Sequence, residues 1–321
     1  MNSAAAPTPL IADAATVRAL LPRLDVRKVL QDTFHALGHD KAVQPAQTLT
    51  LFPQDAGDFI TYQGVLAHAG VFGAKLSPYI VNPGKPVITA WTMLMSMQTG
   101  QPLLLCDASL LTTERTAGTT ALAVDYLAAP TASRLAIIGS GAVAQAHLRH
   151  VARLRSWSHI RVYSPSLAAQ PEQQAAWRAL DSRVEISAST EQCVHDADVI
   201  MLCTSSGTPV LDPADLTRPA LITSISTNVV RAHEIPPAAL PGMAVYCDYK
   251  RTTPASAGEM VVAADRYGWS ASNVIGDLAD LANHRCALPD YKKHAFFRSI
   301  GLGLEDIAIA HALYQVLQTG Q

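Results

Sequence analysis

Apolar positions follow two different patterns along the chain. From residue 134 onward, short apolar runs alternate with segments of helical period. Leu135–Ile138, Ile160–Tyr163, Val184–Ile186, Val199–Cys203, Ala220–Ile225 and Val245–Asp248 read as strands. Val143–Leu154, Leu167–Leu180 and Thr190–Asp196 read as the helices between them. This alternation predicts a doubly wound parallel sheet of Rossmann type, an α/β domain. The first third differs. Helices are expected from Asp13 and over Asp25–Leu37. Segments of β character follow at Gln47–Phe52, Asp58–Leu66, Val71–Ser77, Ile88–Met97 and Pro102–Cys106. Gly57, Gly70, Asn82-Pro83-Gly84 and Thr99-Gly100 punctuate them as turns. An α+β domain with an antiparallel sheet is expected there. Thr112–Leu127 reads as a helix leading onward, and Ser299–Leu317 as a final helix. Its apolar stripe is Ile300, Leu304, Ile307, Ala308 and Tyr314. Glu305 and Asp306 fall away from that stripe, whereas His311 falls inside it and reads as a packed histidine. The helix is expected to pack back on the first domain. The division is therefore residues 1–115 with about 300–321, and residues 116–299.

Composition narrows the class. The chain has 321 residues, enough for two domains, with 49% hydrophobic and 16% charged residues. A net charge of −2 gives no sign of a nucleic-acid partner. No apolar run approaches the roughly 18 residues of a membrane span. The first nine residues carry no basic cluster and no apolar core, so they read as a loose tail and not a signal peptide. The five cysteines show no C-x-x-C spacing and read as reduced thiols of a cytoplasmic protein. No histidine pair has H-E-x-x-H spacing, so no metal site is expected. No G-x-S-x-G elbow accompanies the serines, which removes support for a hydrolase.

Chemistry enters at Gly139-Ser140-Gly141-Ala142-Val143, directly after an apolar strand and at the start of a helix. Gly139 allows the turn, Gly141 leaves room for a phosphate, and Ala144 is the third small position. Helix N–H groups would face a pyrophosphate there. Polar clusters fall at the C-terminal ends of later strands, where such sheets bind ligands. They include Thr204 and Ser205, then Ser226 and Thr227. An NAD-selecting acid should end the second strand, but the sequence there is Val162-Tyr163-Ser164-Pro165-Ser166. Ser164 and Ser166 can donate to a 2′-phosphate, and no acid repels it. The expected cofactor is thus NADP(H) or NAD(H), with a weak preference for NADP(H).

Gly73-Ala74-Lys75, Thr99-Gly100-Gln101-Pro102, Cys106-Asp107, Leu111-Thr112-Thr113-Glu114-Arg115-Thr116-Ala117, the glycine loop, and the tail from Gly301 to Asp306 occur in that order. In these motifs the chain resembles the ornithine cyclodeaminase/mu-crystallin family, from about residue 60 to the C-terminus. The resemblance implies hydride transfer at the α-carbon of a small amino or imino acid, and a homodimer formed through the first domain. It implies Lys75 and Arg115 as substrate-site cations and Thr116 beside the pyrophosphate. Independently, a lysine within the otherwise uncharged run Val71–Ile80 is expensive if buried and unpaired. A substrate carboxylate would supply its partner. Arg115 can hold a carboxylate bidentately.

Two positions depart from the family pattern. Gln47 stands where many members carry an arginine, and Asn228 where cyclodeaminases carry an aspartate. Asparagine accepts no proton and carries no charge. Arg231 and His233 are near Asn228 in sequence, and His233 reads as a surface loop residue. The leading expectation is an NAD(P)H-dependent reductase or dehydrogenase of small α-imino or α-amino acids, such as pyrroline- or piperideine-2-carboxylate. The alternatives are an amino-acid cyclodeaminase and a mu-crystallin-like dinucleotide-binding protein with little turnover.

Overall fold

A computed structural model describes residues 8–227 and 231–319. The chain forms two compact units, one running to Arg115 and resuming at Leu302, the other spanning Thr116–Gly301. The expected role of Asn228 lies outside the described residues.

The first unit is built on an eight-stranded sheet. Its strands are β1 (Leu10–Ala12), β2 (Ala42–Val43), β3 (Thr48–Leu51), β4 (Gly57–Leu66), β5 (Val71–Ile80), β6 (Val87–Ile88), β7 (Trp91–Ser96) and β8 (Pro102–Asp107). The order is β1-β8-β7-β5-β4-β2, with β3 on β4 and β6 on β5. All pairs are antiparallel except β1 with β8, so the sheet is mixed and not purely antiparallel. The three residues of β1 are too few to show a period of two, which is why the sequence pattern misses it. Ile88–Met97 is two strands, interrupted at Thr89 and Ala90. Helices α1 (Ala14–Leu20) and α2 (Val26–Leu37) start where expected. Asp13 accepts from Thr16 N and Asp25 from Lys28 N, satisfying helix-start donors. Leu30 and Phe34 of α2 lie in the core with Leu94 and Leu104 of the sheet.

The C-terminal helix (Gly303–Thr319) starts four residues later than the sequence pattern suggests. Ser299 N still bonds to Ser224 O, and the Asp248 carboxylate accepts from Ser299 Oγ, Ile300 N and Gly301 N. The start of the helix touches β4 backbone to backbone. A Cβ on Gly64 would lie 2.7 Å from Leu304 Cα, and one on Gly303 would lie 2.3 Å from Gln63 O. Gln44 Oε1 accepts from Leu304 N at 2.8 Å, satisfying one of the helix-start donors.

Helix α3 (Ser109–Leu127) carries the boundary between the units. The second unit holds an eight-stranded sheet: β9 (Arg134–Ile138), β10 (His159–Tyr163), β11 (Val184–Ile186), β12 (Val199–Leu202), β13 (Leu221–Ser224), β14 (Ala244–Cys247), β15 (Val274–Asp277) and β16 (Ala295–Arg298). The order is β11-β10-β9-β12-β13-β16-β14-β15, parallel throughout. β15 and β16 add two strands to the six expected. The strand order reverses between β9 and β12, the switch point at which doubly wound sheets bind ligands. Helix α4 (Ala142–Val151) follows β9. The expected helix Leu167–Leu180 is a single 3-10 turn and then α5 (Pro171–Leu180), because Pro171 favours a helix start over a helix interior.

Candidate active site

Lys75 stands on the inward face of β5. Cross-strand register puts it in a row with Tyr62 of β4, Thr92 of β7 and Cys106 of β8. Only 1% of Lys75 is exposed. Its Nζ lies 2.8 Å from Asp306 Oδ2, donates to Thr112 Oγ1 at 3.3 Å, and sits 4.2 Å from the centre of the Tyr62 ring. Arg115, on α3, donates from Nε to Asp306 Oδ1 at 3.0 Å and from Nη1 to Glu305 Oε2 at 3.1 Å. All four charged side chains are buried. The expected site cations are therefore brought together, but their partners come from the chain itself. The C-terminal helix supplies both carboxylates. Glu305 and Asp306 fall away from the apolar stripe in sequence, yet both are buried, because the side of the helix they occupy faces Lys75 and Arg115. His311 is half-buried, and that burial depresses its pKa.

Burial sets the ionisation of the cluster. It pulls Lys75 down to about 8, against the opposing pull of Asp306 and with help from Arg115. Burial also works against the Arg115 charge, but Asp306 and Glu305 outweigh it and hold the guanidinium above its ordinary value. The Tyr62 hydroxyl is raised by burial. A lysine with a depressed pKa, held beside a fixed guanidinium, can give and take a proton near neutrality. Gln47 lies half-buried in the segment between β2 and β3.

The second constellation gathers at the C-terminal ends of the parallel strands. Gly139 has φ +116°, and a Cβ there would lie 2.3 Å from Cys203 O, so only glycine fits this turn. Gly141 is the N-cap of α4, with no side-chain cap, and a Cβ on it would meet nothing within 4 Å. Ala142 is exposed, Val143 half-buried, and Ala144 packs fully inside. An uncapped helix N-terminus with open space before it suits a pyrophosphate. Ser140 and Ser164 are joined Oγ to Oγ at 2.8 Å, so the glycine loop and the end of β10 meet. Ser166 is exposed beside them. This surface carries hydroxyls where an NAD-selecting acid would stand, which fits a dinucleotide with or without a 2′-phosphate. Thr116 is half-buried, and its carbonyl accepts from Thr120.

Glu234 was not anticipated from sequence. It is fully buried, and its carboxylate accepts from Thr204 N and Oγ1, Ser224 Oγ, Ile225 N and Ser226 N, at 2.6–3.1 Å. It fixes two expected cofactor residues, Thr204 and Ser226, at the ends of β12 and β13. Ser226 Oγ also donates to Ser206 O at 2.6 Å, whereas Ser205 and Thr227 are exposed. Nothing in the segment around Glu234 distinguishes it from a surface acid. His233 is half-buried, its Nδ1 2.8 Å from Arg231 O, and Arg231 is exposed with its guanidinium 4.0 Å from Asp265. Among the described residues no group of His, Cys, Asp and Glu could hold a metal, and no helix is long and apolar enough to cross a membrane.

Comparison with known proteins bears on the family and the fold. The sequence profile of the ornithine cyclodeaminase/mu-crystallin family matches residues 9–321. The NAD(P)H-dependent anabolic L-arginine dehydrogenase DauB of Pseudomonas aeruginosa is 56% identical over 315 residues, covering 98% of this chain and 99% of its own. Among solved structures, a probable ornithine cyclodeaminase from Bordetella pertussis is similar at TM-score 0.87 and 27% identity, covering 98% of both chains. The Δ1-pyrroline-2-carboxylate reductase of Thermococcus litoralis, solved with NADH and L-proline, has the same fold at TM-score 0.88 and 20% identity, covering 97% of this chain and 98% of its own.

Proposed function

The chain belongs to the ornithine cyclodeaminase/mu-crystallin family, and on that premise we propose that it is an NAD(P)H-dependent reductase of α-imino acids, run in reverse as an amino-acid dehydrogenase, with arginine and its imine as the reacting pair. The observation that carries this reading is a buried lysine of lowered pKa beside a buried arginine, in a chain that also holds an uncapped glycine loop at a strand-order switch point. Identity of 56% over nearly the whole length of an arginine dehydrogenase supports the choice of amino acid.

Reduction adds a hydride to the imine carbon and a proton to its nitrogen. A reduced nicotinamide supplies the hydride when bound. Gly139–Val143, Ser164, Ser166, Thr116, Thr204, Ser205, Ser226 and Thr227 are the residues assigned to hold that cofactor. Lys75 is the proton donor at Nζ, and Arg115 orients the substrate carboxylate. Orientation of this kind lowers the barrier because the reacting atoms need no further search. Gln47 and Asn228 complete the assignment as neutral hydrogen-bonding groups. NADPH is the preferred cofactor, since Ser164 and Ser166 donate where an acid would repel the 2′-phosphate. An NADH affinity at least tenfold tighter, about 1.4 kcal/mol, would reverse that preference.

The first unit, residues 1–115 with about 300–321, is the substrate and dimerisation domain, and residues 116–299 bind the dinucleotide. The outward face of its sheet supports a homodimer. Leu76 and Trp91 are cross-strand neighbours there, as are Met93 and Leu105, and all four are more than a third exposed. Neighbouring exposed apolar side chains on one sheet face suit a second copy of the same chain. Five cysteines without a disulfide support the cytoplasm as the compartment.

The test follows cofactor oxidation with ammonia and the 2-oxo acid of arginine, with pyrroline-2-carboxylate in parallel. Arginine formation as the faster reaction is expected. Reduction of pyrroline-2-carboxylate alone would move the substrate to cyclic imines, and turnover of neither would remove the reductase reading.

A further inference from the structure

We propose that Asp306 is a positioning residue for this reaction: its carboxylate, shared between Lys75 and Arg115, aims the Lys75 ammonium and governs how readily it gives up its proton. The inference rests on the reading of Lys75 as proton donor.

The geometry separates the tasks of the two acids. Asp306 uses both oxygens, Oδ2 toward Lys75 at 2.8 Å and Oδ1 toward Arg115 Nε at 3.0 Å. Glu305 pairs with Arg115, through Nη1 at 3.1 Å. Asp306 thus joins the lysine and the arginine through one carboxylate. Its backbone is held in turn. Gln44 takes the Leu304 N–H, and the Gly64 and Gly303 contacts leave the helix start no room to shift on β4. A shift of one ångström at Asp306 would therefore require the sheet to move as well.

Charge completes the case. The groups around Lys75 are Tyr62 on β4, Thr92 on β7, Cys106 on β8, Thr112 and Arg115 on α3, and Glu305 and Asp306 on the C-terminal helix. Tyr62 is raised by burial, and the Cys106 thiol is pushed up to about 12, so both stay neutral at working pH. The remaining charges are two cations and two carboxylates. Arg115 repels the Lys75 proton, and Asp306 holds it. Removing Asp306 takes away the larger carboxylate influence and leaves burial and Arg115 against the charged lysine, opposed only by the weaker pull of Glu305. Removing Arg115 has the opposite sign, because it ends the repulsion and leaves Asp306 to Lys75 alone.

The experiment is a ¹⁵Nζ NMR titration of Lys75 in the full-length protein without substrate, feasible because the chain has only seven lysines. Loss of the resonance in Lys75→Arg assigns it. Asp306→Asn is expected to lower the Lys75 midpoint by about one unit or more, Asp306→Glu to keep it near the wild-type value, and Arg115→Gln to raise it. In turnover, the alkaline limb of kcat/KM should move with the NMR midpoint in each variant. A midpoint unchanged in Asp306→Asn, or lowered in Arg115→Gln, would overturn the proposal. Where Asp306→Asn does not fold, the sign in Arg115→Gln decides alone. The NMR readout uses no substrate, so its failure is distinct from failure of the reductase reading.

Discussion

Replacing Gly141 with valine places a branched side chain at the mouth of the helix that opens the dinucleotide loop. The structure gives the expected cost to the fold. A Cβ at Gly141 meets nothing within 4 Å, and the residue has φ −75°, which any residue adopts. The remaining penalty is that of a poor N-cap residue, about 0.5–1 kcal/mol. In a domain of roughly 150–250 residues this lowers Tm by about 1–4 °C. Gly139→Ala is the contrasting case. A Cβ there lies 2.3 Å from Cys203 O and 2.8 Å from its carbonyl carbon, at φ +116°. Strained φ adds about 1–2 kcal/mol and overpacking about 1–3 kcal/mol, so Tm should fall by about 4–20 °C. Cofactor binding reverses the ranking of purpose. The valine methyl groups fill the space a pyrophosphate needs, and each charge-assisted hydrogen bond lost costs about 1.5–3 kcal/mol. Losing one or two weakens Kd by roughly 10- to 10,000-fold. Fluorescence titration with NADPH and NADH, beside a thermal melt, measures both effects. A Gly141→Val protein that melts normally and binds either cofactor within threefold of wild type would refute the placement of the dinucleotide.

Further expected outcomes concern the lysine, the missing acid and the sheet face. Lys75 must be protonated for reduction, so kcat/KM for the imine should fall as pH rises through about 8. In the oxidative direction the free amine is needed, and the same midpoint should appear as a rise. Limbs of equal sign in the two directions would remove Lys75 from proton transfer. Ornithine should not be cyclised efficiently, because Asn228 cannot act as the acid that cyclodeaminases carry there. Proline and ammonia formed from ornithine at the rate of the main reaction would contradict this. Leu76→Glu combined with Met93→Glu puts charge on the outward apolar face and is expected to convert a dimer to monomer in sedimentation, with both residues exposed enough to spare the core.

Much of the second unit was legible because parallel strands are apolar on both sides and carry their own signal. Val184–Ile186 matches to the residue, and the glycine loop falls at the switch point. β15 and β16 escaped because Val274–Asp277 contains a glycine and an acid, and Ala295–Arg298 is four residues ending in a charge. In the candidate site, Lys75 was legible as a cation in an uncharged run, and Arg115 through its motif. Its partners were not. Glu305 and Asp306 occupy the first turn of a helix, where acids are ordinarily explained by the helix dipole. What identifies them is the match between two buried cations and two acids distant in sequence, a match visible only once the chain is folded. Glu234 is similar, since its role is defined by the backbone donors of two separate loops.

The pairing of Arg115 with Asp306 spans 191 positions, and it sets an order of events during synthesis. As the chain leaves the ribosome, the first unit has its strands but not its last helix. Its buried lysine and arginine then lack the two carboxylates they pair with, which disfavours closure of that core. The parallel sheet between them, complete by Gly301, has its own core and no such debt. The inserted unit is therefore expected to reach its native state before the enclosing one gains Glu305 and Asp306. A chain released at Gly301 is expected to keep a protease-resistant parallel sheet and to lose the mixed one, which limited proteolysis of the truncated chain measures.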